Sequence, residues 1–360
     1  MKFDYCIGNP PYQSTVDTYN RQEPIYPYFY DAAESIADKS LLISPARFLF
    51  DAGLTPKAWN RKMLSDEHIK VEYYNQNANE VFHNTDIKGG IAVVYRDANK
   101  NFGAIEEFIP DKTLRAISSH FKKNSAMNLP SIMYGGRSDL KFNDLFVSEH
   151  PESIDARLKA VQKKHPEVKK LAPNEEYEIK SSAFETLENF LLDNEPEDKE
   201  KYYKILGLKS GKRTFKWVER RYMTPRYPNR NNIDKYKVLF PEANGNGVFG
   251  EVLSQPIVLN PMESATPTFI SIGAFDTLNE AENTLKYIKT KFVRALLGLI
   301  KKTQHTAPSN WAYVPVQDFS DKSDIDWNKS ISGIDQQLYR KYRLLPEEIN
   351  YIEEKVKEME

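Results

Sequence analysis

The sequence has almost no cysteine and no long apolar run. Cys6 is the one cysteine among 360 residues, which excludes an internal disulfide framework and is typical of a reducing compartment. No uninterrupted apolar stretch approaches the roughly 20 residues that a membrane-spanning helix needs. The first residues also lack the apolar core of a secretory signal. These absences predict a cytoplasmic globular protein without a membrane partner.

The chain also has little net charge, but the charge is unevenly distributed. The formal total is −1, whereas residues 199–237 contain 13 Lys and Arg against three acidic residues, interleaved with seven aromatic residues. A local excess of this kind is what contact with a phosphate backbone requires. A solvated basic face without a partner explains the composition equally well.

The first 110 residues alternate short apolar runs with segments of helical spacing, which predicts βα units and a mostly parallel sheet covered on both faces. The helical spacing covers Ile25–Ile36 and Pro56–Leu64. The apolar runs that predict strands are Phe3–Gly8, Ser40–Ser44, Ile69–Asn75 and Gly90–Arg96.

The rest of the chain divides by composition into three further parts. Residues 111–216 are rich in charge and poor in β-branched residues, which predicts a helical connector or insertion. Residues 217–330 predict a mixed α+β domain, in which Thr277 and Glu280 form a capping-box pattern at the start of one long helix. Residues 331–360 predict a C-terminal helical segment with Pro346 near the start of its last helix.

The tetrapeptide Asn9-Pro10-Pro11-Tyr12 directly follows the first apolar run. Asn9 offers an amide donor and a carbonyl acceptor, and the two prolines fix the backbone while donating no backbone hydrogen bond. Tyr12 adds a flat ring. Acceptors and a stacking surface at the end of a buried strand suit an exocyclic amino group on a flat heterocycle, and the end of a parallel strand is where open α/β sheets place their sites.

FDYCIGNPPYQ resembles the Asn-Pro-Pro-Tyr motif of amino-methylating DNA methyltransferases that act on adenine N6. The segments around SLLIS and GGIAVVYRD are similar to the strands that follow this motif in adenine methylases of type II restriction-modification systems, including bifunctional methylase-endonucleases. YKVLFPEANGNGVFGEVLS and WAYVPVQDF resemble the target-recognition region of such enzymes. The resemblance implies an α/β fold: a partial Rossmann-like methyltransferase sheet, then a helical insertion and a mixed α+β target-recognition domain.

The resemblance implies a role for each residue of the motif. Asn9 and the carbonyl of Pro10 would accept hydrogen bonds from the adenine amino group, Pro11 would stiffen the turn, and Tyr12 would stack on the flipped base. Phe82 is the candidate for a second stacking ring. A simple turn at the end of a strand remains the alternative for the tetrapeptide, and a core aromatic remains the alternative for Phe82.

The same resemblance implies S-adenosylmethionine as cofactor, but its expected binding element is not found before Asn9. Methylases of this arrangement hold the cofactor on a strand, a Gly-rich turn and a helix that precede the motif. Gly245–Gly250 matches G-x-G-x-x-G, yet the residues after it predict a strand instead of the required helix. We therefore expect either the C-terminal part of a longer or split methylase, or a chain that has lost cofactor binding.

Double-stranded DNA is the partner that the resemblance implies. The arginines could contact phosphates or bind guanine in a bidentate fork, and most of the candidates would be phosphate contacts or plain surface. For the candidates after the long helix, capping of that helix is the alternative. No metal site is predicted, because the six histidines form no cluster with ligand spacing, and no nuclease motif is found. The candidates for DNA binding are Arg220, Arg221, Arg226, Arg230, Lys302, Gln304 and His305.

Three functions compete at this point. The first is a site-specific adenine-N6 DNA methyltransferase module of a restriction-modification system, whose partner would be a separate cofactor-binding methylase half or a restriction subunit. The second is a non-catalytic DNA-binding specificity subunit with a degenerate methylase fold. The third is a small-molecule or protein N-methyltransferase, against which the basic stretch and the recognition-domain resemblance argue.

Overall fold

The computed structural model describes residues 3–14, 23–51, 54–83, 87, 89–245, 247–301 and 304–359. The chain forms two compact units, Met1–Arg115 and Ala116–Glu360. Across these ranges, none of the helices combines the length and the apolar character that crossing a membrane demands.

The first unit is a four-stranded sheet with two helices, and its elements follow the apolar periodicity of the sequence. The strand order is β1-β2-β4-β3. In chain order the elements are β1 (Phe3–Gly8), α1 (Tyr26–Ile36), β2 (Ala37–Pro45), α2 (Lys57–Ser65), β3 (Ile69–Asn75) and β4 (Ile91–Asp97). The predicted strands and helices of this region are therefore confirmed.

The expectation of a mostly parallel sheet is wrong. β1 pairs with β2 in parallel, but β4 runs antiparallel to both β2 and β3. The reason lies in the connection from Asn75 to Ile91, whose described residues form the short 3₁₀ turn Ala78–Glu80 and no longer helix. A parallel neighbour needs a long crossover, so a direct loop brings the chain back antiparallel.

The expectation that the sheet is covered on both faces, with β1 buried, is also wrong. β1 pairs with β2 alone, so among the described strands its other edge is open. Its alternate residues Phe3, Tyr5 and Ile7 are 62%, 60% and 74% exposed. These side chains share one face because successive residues of a strand point to opposite sides, while Cys6 on the opposite face packs against the aromatic core of the unit.

A short helix, α3 (Lys112–Ser119), spans the boundary between the units. The second unit contains a four-stranded, a three-stranded and a two-stranded sheet. Its strands are β5 (Met133–Tyr134), β6 (Leu140–Phe142), β7 (Tyr202–Lys209), β8 (Lys212–Glu219), β9 (Met223–Pro225), β10 (Tyr236–Pro241), β11 (Ile257–Leu259), β12 (Glu263–Ala265) and β13 (Phe269–Phe275). Its further helices are α4 (Asp144–Glu149), α5 (Pro151–Gln162), α6 (Ala183–Thr186), α7 (Leu278–Lys289), α8 (Lys291–Ile300), α9 (Ile331–Lys341) and α10 (Pro346–Lys355).

The end of the predicted helical connector is a β-hairpin. β7 and β8 pair antiparallel from Tyr202 with Glu219 to Lys209 with Lys212. Ser210 and Gly211 join them with φ of 51° and 76°, the left-handed pair that a tight hairpin turn requires. The expectation of helix over this stretch is wrong, and the boundary drawn between residues 216 and 217 falls within β8.

The predicted long helix after Thr277 is divided into two. The capping box is confirmed, since the Thr277 side chain accepts from the Glu280 amide and the Glu280 side chain accepts from the Thr277 amide. Thr290 then ends α7 with an extended backbone, and its hydroxyl accepts from the Val293 amide at the start of α8. A side-chain cap in mid-sequence thus restarts the helix in a new direction.

Candidate functional site

Three strands of the first unit end at the same edge of the sheet. β2 is parallel to β1, and β3 has the same direction because both β2 and β3 are antiparallel to β4. Gly8, Pro45 and Asn75 are the last residues of these strands. The segments that follow them therefore share one rim, which is the position of ligand sites in open α/β sheets.

The tetrapeptide Asn9–Tyr12 lies on this rim directly after β1. Asn9 and Pro11 are exposed, Pro10 is buried and Tyr12 is half-buried. The Tyr12 carbonyl accepts from the Ile25 amide at 3.1 Å, which ties the turn to the start of α1. Among the described residues, none donates a hydrogen bond to the Pro10 carbonyl. This oxygen can therefore accept a hydrogen bond from a ligand.

The hydroxyl of Tyr12 is enclosed by the protein. Burial raises the pKa of Tyr12, and the neighbouring Asn9 side chain offsets part of this rise. The Asn9 side chain lies near the phenol, and among the described residues the enclosed hydroxyl has no assigned hydrogen-bond partner. Tyr12 as a whole is only partly exposed.

An aromatic cluster lies in the core of the same unit. The rings of Tyr26, Tyr30, Phe48 and Trp59 pack edge to face or tilted, with centroids 5.2 to 6.5 Å apart, a geometry that adds to the apolar contribution. The Tyr30 hydroxyl bonds the Ser44 hydroxyl at 2.9 Å. The sequence prediction did not assign these residues to the site, although Tyr26 and Tyr30 are one helical turn apart and face the same side of α1.

Arg47 is a further residue at the rim that sequence reasoning missed. It follows the end of β2, and its positive charge offsets part of the rise that burial causes in the pKa of Tyr26. The Arg47 side chain also packs against Gly89, where an added Cβ would lie 3.0 Å from Cγ. The signal in the sequence was its position two residues beyond the strand-ending Pro45, at the edge where ligands bind.

Phe82 lies in the loop that follows β3 at the same edge. It is partly exposed, its amide donates to the Ala78 carbonyl at 2.8 Å, and it does not belong to the buried aromatic cluster of the described unit. β1 and β3 are separated by two other strands, a distance of about 14 Å at the usual strand spacing. Phe82 shares the rim with Tyr12, and stacking of both rings on one base stays a prediction.

The glycine run of the second unit is a turn and opens no helix. Gly245, Gly247 and Gly250 have φ of 63°, 80° and 74°. Extended chain and β11 follow, as the sequence predicts. A Cβ at Gly250 would lie 2.4 Å from the Lys355 carbonyl oxygen, so glycine is required there by the close approach of α10. Within the described ranges, no glycine-rich turn opens a helix at the end of a strand, so these residues do not fit the cofactor.

Three of the predicted DNA-binding arginines are hydrogen-bonded within the protein. Arg220 is exposed and donates to the Glu200 carbonyl at 3.1 Å. Arg221 is exposed and pairs with Glu219 at 2.6 Å. The Arg226 side chain is only 7% exposed and donates to both oxygens of Glu178 at 2.9 and 2.6 Å. Arg220 and Arg221 are on the surface, whereas Arg226 lies inside the unit in this conformation.

The remaining candidates for DNA binding lie at two separate places. Arg230 is exposed, donates to the Met133 carbonyl at 3.1 Å and lies over the ring of Tyr134. Gln304 and His305 are exposed after α8, where His305 forms a bridge with Ala243. Lys302 is outside the described residues. The contact of these side chains with DNA stays a prediction.

The basic stretch 199–237 is largely neutralised by acidic side chains from elsewhere in the unit. Lys204 pairs with Glu263 at 3.0 Å, and Lys216, which has no exposed surface, pairs with Asp193 at 2.9 Å. The local excess of positive charge is therefore much smaller in the folded protein than in the sequence. The basic residues in ion pairs are Lys199, Lys201, Lys204, Lys209, Lys216, Arg221, Arg226 and Lys235.

Residues 1–82 match the model of a family described as Eco57I restriction-modification methylase. The match covers the strand β1, the tetrapeptide Asn9–Tyr12, the aromatic cluster and Phe82. This part of the chain is therefore similar to restriction-modification methylases.

Among solved structures, the chain is similar to the Type IIL restriction-modification enzyme MmeI in complex with DNA, at 9% identity and a TM-score of 0.41. The match covers 98% of this chain and 56% of that one, so the chain spans little more than half the length of that enzyme. A search of curated proteins gave no match.

Proposed function

We propose that this chain is the target-base and DNA-recognition module of a site-specific DNA methyltransferase that modifies adenine N6 in a restriction-modification system. The observation that carries the proposal is the tetrapeptide Asn9–Tyr12 at the carboxyl end of β1, within the segment that is similar to restriction-modification methylases. The open Pro10 carbonyl and the exposed Asn9 side chain are the acceptors that an adenine amino group needs.

The chemistry at the rim follows from these groups. An amino group that donates both of its hydrogens, to Asn9 Oδ1 and to the Pro10 carbonyl, gains electron density on its nitrogen. Methylation would form the N6–C bond, break the bond between the methyl group and its donor, and release one amino proton on the side of these two acceptors. Tyr12 fixes the plane of the base by stacking, and Phe82 encloses it from the other side. No nucleophilic side chain is required, because the gain comes from positioning and from electrostatics.

The base reaches this rim only after it leaves the duplex. Adenine N6 cannot meet a methyl donor inside the base stack, and unstacking costs a few kcal/mol, which the pocket contacts must offset. The enclosed position of the Tyr12 hydroxyl favours a stacking ring that is in place before the base arrives.

The methyl donor in this proposal is S-adenosylmethionine, held by a polypeptide segment that packs beside β1. The free edge of β1 accepts a further parallel strand, and a parallel strand there would end beside Asn9. The exposed side chains of Phe3, Tyr5 and Ile7 offer apolar surface for helices of that segment, and contiguous exposed apolar surface marks interaction sites. The described residues contribute the base-binding side of the site, and we assign none of them to the cofactor.

The experiment is methyl transfer to DNA by the chain together with its cofactor-binding segment. Asn9→Ala removes one of the two acceptors, and we expect a loss of at least about 100-fold in rate, as for removal of one preorganised hydrogen bond at other reacting centres. Tyr12→Ala removes the stacking ring and should reduce transfer with unchanged affinity for duplex DNA. Mass spectrometry of digested DNA measures N6-methyladenine directly.

A matched control is Asn328→Ala, which removes an asparagine that is likewise exposed but lies far along the sequence. It should retain full transfer. If Asn9→Ala and Tyr12→Ala both leave the rate unchanged, the catalytic assignment of the tetrapeptide is wrong.

A second candidate function is a non-catalytic DNA-binding specificity subunit. The observation in its favour is that no described residues form a cofactor cradle. The same experiment distinguishes the two functions. A specificity subunit would bind DNA but would produce no N6-methyladenine, whichever cofactor-binding segment is added.

A further inference from the structure

An exposed lysine cluster lies at the end of α5, in a part of the chain that no sequence argument assigned to DNA. The residues of this cluster occupy the last turns of the helix and the loop after it, and all of their side chains are exposed. The lysine cluster consists of Lys159, Lys163, Lys164, Lys169 and Lys170.

The lysine cluster differs from the basic stretch 199–237 in its partners. None of the ion pairs in the described part of the chain involves any of these five side chains. The one acidic residue between them, Glu167, pairs with His165 at 3.5 Å. These five exposed lysines therefore carry positive charge that none of the described ion pairs compensates, whereas that of the stretch 199–237 is mostly compensated.

The cluster is held by a defined backbone. The His165 amide donates to the Val161 carbonyl at 3.0 Å, and the Val168 amide donates to the His165 carbonyl at 3.1 Å. The Gln162 side chain donates to the Val168 carbonyl at 2.9 Å. Lys159 and Lys163 are four residues apart in sequence and so project from one face at about 5 to 6 Å.

Buried Arg157 anchors the helix that carries the cluster. Its Nη1 donates to the carbonyls of Glu175 and Glu176 at 3.2 and 2.9 Å, and its guanidinium lies over the rings of Phe142 and Phe146. These contacts fix α5 against the core of the unit. The helix that carries the first lysines is consequently fixed, and little ordering of its backbone is needed when they bind a partner.

A cavity of about 380 Å³ lies beside the cluster and is lined by side chains of both charges. Its lining includes Lys164, His165, Lys180 and Arg157, together with Glu175 and Glu185. Lys180 pairs with Glu175. Lys164 is the member of the lysine cluster that also lines this cavity.

We propose that the lysine cluster contacts the phosphate backbone of double-stranded DNA, independently of base sequence. The proposal rests on the proposed function for the identity of the polyanion. Lysine is a compact charge that suits single phosphate oxygens, and most contacts between proteins and DNA go to the backbone and set orientation without reading sequence. The cluster then positions the duplex, while other residues select the sequence.

The test replaces all five lysines by glutamine and measures binding to a duplex by fluorescence anisotropy between 50 and 200 mM salt. Each lost phosphate contact should lower the slope of log K against log salt by about 0.9. If the variant has lost three phosphate contacts, the affinity of the wild type should decrease between 50 and 200 mM salt by a factor about 40-fold larger than the decrease of the variant. A variant limited to Lys163→Gln and Lys164→Gln should lose about 1.8 of the slope.

The matched control replaces exposed lysines of the same unit that are already in ion pairs, Lys199, Lys201, Lys209, Lys235 and Lys341. It removes the same formal charge, and we expect a smaller change in slope because these charges are compensated. Circular dichroism and thermal unfolding of all variants verify the fold.

The possible outcomes separate this inference from the function on which it rests. If the wild type binds DNA and the five-lysine variant shows the same affinity and the same salt slope, the role of the cluster is overturned, but the proposed function is not. A slope loss equal to that of the control also overturns it, because then only total charge matters. Absence of DNA binding by the wild type at 50 mM salt would overturn the DNA partner and with it both proposals.

Discussion

Replacing Arg226 by alanine separates a structural role of this side chain from a role in DNA contact. The sequence places Arg226 among the candidates for DNA binding, but its guanidinium is occupied within the protein. The two Nη atoms donate to Glu178 at 2.9 and 2.6 Å, and Nε donates to the Ser138 carbonyl at 2.9 Å. Alanine would leave the Glu178 carboxylate without its bidentate partner.

The magnitude follows from these bonds. A hydrogen bond to a charged group contributes about 1.5 to 3 kcal/mol, so the pair gives about 3 to 6 kcal/mol in total. Glu178 keeps Arg137 at 3.6 Å and is 23% exposed, which compensates part of the loss. We therefore expect Arg226→Ala to lower the free energy of unfolding by about 2 to 4 kcal/mol, near the lower end for a broken buried ion pair.

The assay is chemical denaturation of the wild type, Arg226→Ala and a control. Arg220→Ala serves as control, since Arg220 is exposed and has one bond to the Glu200 carbonyl, and its loss should cost less than about 1 kcal/mol. At a temperature where Arg226→Ala is fully folded, its DNA affinity should equal that of the wild type. Wild-type stability combined with weakened DNA binding would refute the structural role.

Two further predictions concern the stability of the second unit. Gly207→Ala places a Cβ 2.8 Å from the ring of Phe184. We expect it to lower the free energy of unfolding, measured by denaturant titration, by about 1 to 3 kcal/mol. Gly8→Ala is the comparison, because the nearest neighbour of its Cβ would lie at an ordinary 3.6 Å, and equal losses in the two variants would contradict the argument. Burial raises the pKa of Asp335 to about 6, above the value of about 4 expected in the unfolded chain. The corresponding stability is present below about pH 4 and is lost as pH rises through 6, a change of about 3 kcal/mol. The measurement is the free energy of unfolding as a function of pH between 4 and 7, for the wild type and for Asp335→Asn. The difference between the two curves isolates this change, and parallel curves would count against it.

Local periodicity was sufficient to predict the elements of the first unit. The strand predicted over Ile69–Asn75 has the same bounds in the structure, because alternation and apolar runs are properties of adjacent residues. The direction of β4 was not predicted, although the connection before it contains no helix-length segment. Gly90 in that connection has φ of 80°, and a Cβ there would lie 2.2 Å from the Asn75 carbonyl oxygen, so the turn requires glycine.

The hairpin of β7 and β8 was missed for a different reason. The high charge of the segment favoured a helix, yet the dipeptide Ser210-Gly211 between alternating apolar residues is a hairpin signal. Compositional counting outweighed this local turn chemistry, and the structure shows that the turn residues were the better guide.

The pairing of charged side chains could not be predicted by counting charges along the sequence. Lys204 and Glu263 are 59 residues apart, and Arg226 and Glu178 are 48 apart. Ion pairs of this separation depend on the fold as a whole, so the sequence indicated a basic surface where the protein has largely compensated charge. At the candidate active site the position of Asn9–Tyr12 after a strand was predictable, but the aromatic cluster of the same unit joins Tyr26, Phe48 and Trp59 from three separate segments.

The open edge of β1 also has a consequence for the chain when it is alone in solution. A strand with unpaired amides and carbonyls is a template for another strand, and natural proteins protect such edges with charges, prolines or bulges. Within β1 only Asp4 supplies such protection, beside the exposed rings of Phe3 and Tyr5. Two copies of the chain can therefore pair edge to edge along the same strand that presents the target-base motif.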